Sequence, residues 1–582
     1  MRRAKLFAIF LVIGSIWTAV PASAAPPRDT GADTWVGADA LGRALPGFKE
    51  CGAPRAGKFV GIFYFLWMQP GQRHLYDISK LLAADPLHPK WGPAGAFHWW
   101  SQPALGYYTS DDEFVIRRHA RMLSDAGIDV VIFDVTNALT YDATLHKVCD
   151  VFTQIRREGG RTPQFAFIAH SGSDRVIAHL YETLYSKGLY SPLWFRWKGK
   201  PLILASQAGV EPAARAFFTF RESWAWTKGQ KWFGDGRDKW PWLDHTPQQP
   251  GWHDGPGKPE EICVCVAEHP VSNIGRSFHA GHEPSPGERH PERGQYFAEQ
   301  WKRALEVDPQ FIFVTGWNEW IAQRFVSKDG SMKMAGEAVG PGGTFFVDTY
   351  SQEFSRDIEP MRGGHGDDFY YQLVANVRRF KGVRPNSPLS PAKTIAIDGD
   401  FHQWDSVRPE YLDDLFDTAH RNHPGYGGAG PYKNDTGRND FDTIKVSYDA
   451  ANVYFYVRTR EPISAPAGEN WMNLLIDADR NHATGWEGYD FLINRARPGE
   501  GTCGIERNAG GWKWENAGAA HYAVRGNEMH LAVPRSALGL GAGVPRFDFK
   551  WADNVPPTGN IADFIDKGDV APNGRFNYRF GP

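Results

Sequence analysis

Residues 110–134 read SDDEFVIRRHARMLSDAGIDVVIFD, and this stretch sets the architecture. Ser110-Asp111-Asp112-Glu113 is a capping box: a short polar side chain accepts from the first orphan backbone N–H groups, and the Glu three residues on reaches back. The helix it opens ends at Gly127, where glycine adopts the left-handed conformation that closes a helix. Ile128–Asp134 then runs apolar without alternation, as a strand buried on both faces does, and it ends on a carboxylate.

The same rhythm extends in both directions. Apolar runs at Phe59–Phe65, Gln164–Ala169, Pro201–Ser206, Phe217–Phe220, Ile262–Ala267, Phe311–Thr315 and Phe345–Asp348 alternate with helical patterns. Phe297, Trp301, Ala304 and Leu305 mark one helical face; Tyr370, Leu373, Val374 and Val377 mark another that ends near Gly382. Eight strands with helices between them predict an α/β fold, a (β/α)8 TIM-type barrel over residues 56–382. Residues 383–393, with three Pro and two Ser, form a linker. Beyond it the period becomes two, at Thr443–Tyr448, Asn452–Arg458, Trp471–Asp477, Gly488–Asn494, Met529–Val533 and Phe547–Trp551. Residues 394–582 are therefore expected to be an antiparallel β-sandwich.

Composition narrows the class of partner. A net charge of -3 over 582 residues leaves no basic footprint for nucleic acid. Hydrophobic residues at 42% and charged residues at 23% indicate a globular chain. Arg2, Arg3 and Lys5 precede the apolar run Leu6–Val20 and the small-residue site Ala22-Ser23-Ala24, the pattern of a secretory signal peptide over residues 1–24. No second apolar stretch reaches spanning length. The expectation is a secreted or periplasmic protein, not inserted in a membrane, with a Pro/Gly-rich leader at 25–55. The five Cys (Cys51, Cys149, Cys263, Cys265, Cys503) have no zinc spacing and read as buried small hydrophobes, with a bridge to Cys51 left open.

Catalytic groups of such barrels sit at or just after the C-terminal ends of the strands. There the chain places Asp134, His170, Glu222, Glu268, His269, Glu319 and Asp348. No nucleophile elbow, P-loop, dinucleotide fingerprint or HExxH occurs. A carboxylate-lined mouth suits glycoside hydrolysis, which needs one carboxylic acid to protonate the leaving oxygen and a second carboxylate as nucleophile or base. The 23 Trp, 21 Tyr and 37 Phe can supply flat platforms for sugar rings, or simply an aromatic core.

Glu319 in Gly316-Trp317-Asn318-Glu319-Trp320 is the first candidate, because two flanking Trp desolvate it and raise its pKa toward that of a general acid. Asp134 is the opposing carboxylate and Glu268 the alternative partner. Asn318, Trp317, Trp67, Tyr64, His170, Trp99 and Trp100 are candidate sugar contacts; Trp67, Trp99 and Trp100 lie in an aromatic-rich loop from Trp67 to Thr109, long enough to be functional. Structural roles compete: backbone bonding for Glu319, capping for Asp134, rim packing for the loop aromatics. No cofactor or metal is expected. Asp477-x-Asp479-x-Asn481 alternates like a calcium loop but lacks its Gly and distal Glu, so it reads as an Asx turn.

Thr315-Gly316-Trp317-Asn318-Glu319-Trp320 resembles the Asn-Glu-Trp signature of the glycoside hydrolase family 71 and family 99 barrels, and Gly61-Ile62-Phe63-Tyr64-Phe65 is similar in style. The resemblance implies a (β/α)8 barrel acting on polysaccharides or glycans and carries Glu319 over. In family 99 a second Glu follows three residues later; here that position is Ala322, followed by Gln323 and Arg324. The family's acid pair and substrate therefore do not carry over. The second domain resembles a family 9 carbohydrate-binding module through Ile397–Trp404, Leu475–Asp479 and Gly574–Tyr578, which implies sugar binding between aromatic residues. The expected function is a secreted glycoside hydrolase acting on a polysaccharide or oligosaccharide. The alternatives are a non-catalytic glycan-binding protein and a polysaccharide lyase built on Tyr141, His170, Arg324 and Arg356.

Overall fold

The computed structural model describes residues 27–466 and 468–582; the expected signal peptide at 1–24 lies outside them. Seven parallel strands build the first half: β1 Phe59–Tyr64, β2 Val130–Asp134, β3 Gln164–Ile168, β4 Lys200–Leu204, β5 Thr219–Arg221, β6 Pro259–Cys265 and β7 Phe311–Thr315. Their order is β5-β4-β3-β2-β1-β7-β6. Helices α1 Glu113–Asp125, α2 Asp142–Arg157, α3 Ser173–Leu180, α4 Pro212–Phe217, α5 Gln295–Val307 and α6 Asp368–Lys381 accompany them. The α1 cap is Asp112, whose carboxylate accepts from the Phe114 N–H at 3.1 Å, in place of Ser110. The continuous apolar runs divide by parity. Phe63, Val130, Ile132, Ala166, Ile168, Leu202, Leu204 and Phe313 pack into one interior cluster. Val60, Ile62, Tyr64, Val131, Phe133, Ile203, Ile262 and Val314 belong to the cluster that meets the helices.

The closed eight-stranded barrel is corrected. Of the eighth expected run, only Phe345 enters a strand, pairing antiparallel with Phe325 outside the main sheet. Its neighbour Phe346 is drawn instead into a loop cluster against Trp91 (5.6 Å) and His98 (5.2 Å). Strand β1 therefore pairs directly with β7. The edges β5 and β6 share no backbone ladder. Residues 222–258 form an excursion between them, with Gly251–Trp252 antiparallel to β6. A buried carboxylate clasps the two edges: Glu260 accepts from Arg221 Nε (2.5 Å) and Nη2 (2.8 Å), Trp197 Nε1 (2.8 Å) and Trp240 Nε1 (2.9 Å). Burial pushes the Glu260 carboxyl up, but Arg221 and the two indoles outweigh it and hold it below its ordinary range. The result is a curled, parallel-rich sheet, open along one side.

Interior packing is tight enough to test. A Cβ on Gly61 would come within 2.5 Å of the Phe311 ring and 3.0 Å of Val130. Phe311 is fully buried, so the ring has little room to retreat. Gly61→Ala should cost about 1–3 kcal/mol by overpacking, read as a lower urea midpoint at unchanged slope. An unchanged midpoint would mean that the interior repacks freely.

The second half is one antiparallel sheet: β8 Glu410–Leu412, β9 Phe441–Tyr448, β10 Asn452–Thr459, β11 Asn473–Asp477, β12 Phe491–Ile493, β13 Thr502–Asn508, β14 Trp514–Arg525, β15 Glu528–Pro534, β16 Phe547–Asp553, β17 Asp569–Ala571 and β18 Tyr578–Phe580. The order is β8-β9-β10-β15-β14-β13-β12-β11-β16-β17, with β18 also on β16. The sheet rolls until its ends meet: Tyr578 Oη donates to the Leu412 carbonyl at 3.0 Å and its ring lies 4.9 Å from Tyr411. This makes a nearly closed antiparallel barrel or sandwich. Buried ion pairs join it to the first half, Arg421 to Asp112 (2.7 Å) and Arg575 to Asp367 (2.7 Å). The leader contributes Trp35, buried against Phe576 at 5.3 Å. No described helix is long and apolar enough to cross a membrane.

Candidate active site

The C-terminal ends of the parallel strands bring together Glu319, Asp134, Asp348 and Arg356. Glu319, four residues beyond β7, is only 3% exposed. Its Oε2 accepts from Arg356 Nε at 2.9 Å and Nη2 at 2.7 Å, which leaves Oε1 without a protein partner. Burial pushes the Glu319 carboxyl well above the usual carboxylate range; Arg356 pulls against it, and Asp348 and Asp357 add to the rise. Arg356 is itself buried, donates Nη1 to the Glu268 carbonyl at 2.7 Å and lies over the Trp242 ring at 5.7 Å. Asp348 lies 4.0 Å from Arg356 Nη2 and keeps 36% of its side chain exposed.

Asp134 ends β2 and is 1% exposed. Its Oδ1 accepts from the Thr136 N–H at 3.0 Å, while Oδ2 has no partner. Burial pushes this carboxyl up to about 6, against Thr136 and Trp67, with Asp348 adding to the rise. Asp348 thus acts through space on both Asp134 and Glu319, which sets three carboxylates around one mouth. The two outer ones do not face each other across a ring. In this strand order β2 and β7 flank β1, so only one strand separates them.

Aromatic rings wall the mouth. Trp67, beside Asp134, packs edge-on against Phe65 at 5.1 Å, and Trp242 meets Phe63 at 5.4 Å. His170 is exposed and stacks on Trp224 at 3.5 Å, with 13° between the planes. Glu268 is fully buried and already occupied. It accepts from His245 Nδ1 (2.6 Å), Tyr296 Oη (2.7 Å) and Trp226 Nε1 (3.2 Å). It orders the half-exposed His245, whose pKa it raises, and is not free to serve as the second acid.

Five of the expected sugar contacts lie elsewhere. Tyr64 faces α1, where its hydroxyl meets His119 Nδ1 at 2.9 Å. Asn318 spends its amide on one residue, accepting from the Phe65 N–H at 2.9 Å and donating to the Phe65 carbonyl at 3.1 Å. Trp317 is fully buried, edge-on to His119 at 5.5 Å. Trp99 is buried among Tyr107, Tyr108 and Tyr426. Trp100 stacks on Trp320 at 5.0 Å and donates to Asp357 at 2.5 Å. These side chains brace the mouth from behind. Of the lyase candidates, Arg324 is tied to loop backbone at Gly92 (2.7 Å). Sequence reasoning missed Arg356 as the partner of Glu319; Trp242 belongs to the aromatic group Trp224, Trp226, Trp240 and Trp242 that the sequence places after the fifth run. In Arg356-Asp357-Ile358-Glu359 the alternating charge suggests a solvated strand, yet all four residues are buried.

No protein-family model matches the chain, and no curated protein matches it. Among solved structures, the chain is similar to the family 99 endo-α-mannosidase from Bacteroides thetaiotaomicron in complex with BIS-TRIS-propane: TM-score 0.32 and 16% identity over 56% of this chain and 98% of that one. A second structure of that enzyme gives 0.32 and 17% over 56% and 99%. A glycoside hydrolase-like protein gives 0.31 and 12% over 56% and 95%.

Proposed function

We propose that this chain is a secreted glycoside hydrolase, exported by its N-terminal signal peptide, that cleaves a polysaccharide or oligosaccharide with Glu319 as general acid/base and Asp134 as the second carboxylate. The observation that carries this reading is the asymmetry of Glu319. Arg356 occupies Oε2 with two donors, so a proton on this raised carboxyl sits on Oε1, the oxygen with no protein partner. On this reading the acid donates from Oε1. Asp134, with no cation of its own and an unpartnered Oδ2, supplies the negative charge an oxocarbenium-like transition state needs. Trp67, Trp242 and the Trp224–His170 stack offer apolar faces to sugar rings.

The test is a panel of polysaccharides digested by the full chain, read by reducing ends and near-ultraviolet absorbance together. New reducing ends without absorbance support hydrolysis; absorbance means elimination and sinks it. The Glu319–Arg356 pair also favours a second reading, a glycan-binding protein whose carboxylate serves only as a counter-ion. That reading predicts retention in affinity electrophoresis and no cleavage.

The pH profile follows from Asp134. It must be ionised to act and its pKa is about 6, so kcat/KM should fall tenfold per unit as pH drops below that value. The residual activity of Asp134→Asn should lack this acid limb. A limb that persists in the variant assigns it to another group.

A further inference from the structure

Outside the mouth, three carboxylates converge where the rolled sheet meets α1. Asp413 and Asp417 follow β8, and Asp569 opens β17. One oxygen from each lies within 4.8 Å of the other two. Asp413 is 0% exposed, and Asp417 and Asp569 are 3% exposed. Both oxygens of Asp413 and both of Asp417 lack any hydrogen-bond partner. Asp569 Oδ2 accepts from the Phe441 N–H at 2.6 Å.

Among the described residues, no nearby cation hydrogen-bonds to Asp413 or Asp417. Arg121 pairs with Asp414 (2.9 Å) and donates to the Leu415 carbonyl (2.6 Å); Arg460 pairs with Asp440 (2.7 Å). Lys550 donates to the Pro572 carbonyl. Arg118 forms a long ion pair with Asp417 at 3.9 Å, which leaves Asp413 and Asp569 without a paired cation. Buried carboxylates left this way are costly unless a cation or protons neutralise them.

We infer that Asp413, Asp417 and Asp569 bind a hard divalent cation, Ca²⁺ by preference. The donor set is oxygen only, with no His or Cys to favour zinc. Ca²⁺ accepts six to eight oxygens in irregular geometry, whereas Mg²⁺ demands a near-octahedral set and keeps several of its waters. The ion would also fix the domain junction. Asp414 and Leu415, inside the liganding segment, are the residues that grip Arg121 of α1, and Arg28 donates to the Asp413 carbonyl at 2.7 Å.

The test uses the full chain, stripped with EDTA and reloaded with CaCl2. Elemental analysis should find Ca²⁺ retained through gel filtration. The midpoint of thermal unfolding should rise by roughly 5–10 °C at a hundredfold excess over Kd. Asp413→Asn with Asp417→Asn should lose that rise. Asp479→Asn should keep it; this control disrupts a second carboxylate set, Asp477, Asp479 and Asp490, whose exposed member Asp479 caps an Asx turn at the Asn481 N–H (2.9 Å). Wild-type protein that retains no calcium and whose midpoint is unmoved by it would overturn the inference. So would a calcium response lost in Asp479→Asn but kept in the double variant.

Discussion

Glu319→Gln should lower turnover by about 10²–10⁴-fold on whichever glycan the wild type cuts, the range for removing a general acid. The substitution is chosen for what it preserves. Glutamine has nearly the same volume and keeps a side-chain oxygen to accept from Arg356 Nε and Nη2, the bonds Glu319 Oε2 takes now. What it loses is the ionisable proton at the free oxygen. The near-ultraviolet circular dichroism should therefore match wild type while kcat/KM collapses. A structural counter-ion gives the opposite pattern, a lower unfolding midpoint with turnover within about tenfold once the protein is folded. Because Asp134 supplies the second charge, Asp134→Asn should also be severely impaired, and the double variant should lose less than the product of the two. Residues that act as one unit are not additive.

The strands were legible because each is buried on both faces, so an apolar run survives in the sequence. Parity carried more than was taken from it. Gly61 and Phe63 face the interior, which puts Tyr64 with Ile62 on the helix side, away from any ligand. The eighth run misled because its apolarity serves a different core. The long loop after β1 builds its own cluster, with Trp99, Trp100, Trp320 and Phe346 all buried in it. An aromatic-rich loop on a catalytic face is thus packed largely for itself. Hairpin β13–β14 escaped notice for the reverse reason: most of β14 is exposed, so no alternation marks it. At the site, strand-end position revealed the carboxylates but not what holds them. The Arg356 bonds reach residues 37 and 88 positions away, and no local pattern encodes those.

Arg356→Met should destabilise the protein by about 3–5 kcal/mol, the cost of stripping the partner from a buried charge. Both partners are almost fully enclosed, 1% and 3% exposed, so solvent cannot take over the guanidinium's role. The Glu268 carbonyl loses its donor as well. The pH dependence has a definite sign. Without Arg356, nothing opposes the upward push of burial on the Glu319 carboxyl, so the folded state holds a proton that the unfolded state releases. Stability then falls as pH rises above the ordinary carboxylate range, and the penalty is largest at neutral pH and fades in acid. Urea midpoints of wild type and variant should converge as pH drops toward about 4. Adding Glu319→Gln to Arg356→Met should recover part of the loss at pH 7, since a neutral amide needs no proton taken up on folding. A penalty below about 1 kcal/mol at pH 7, the size of an exposed pair, would mean water reaches Glu319 freely. The desolvation that makes it a proton donor would then be absent.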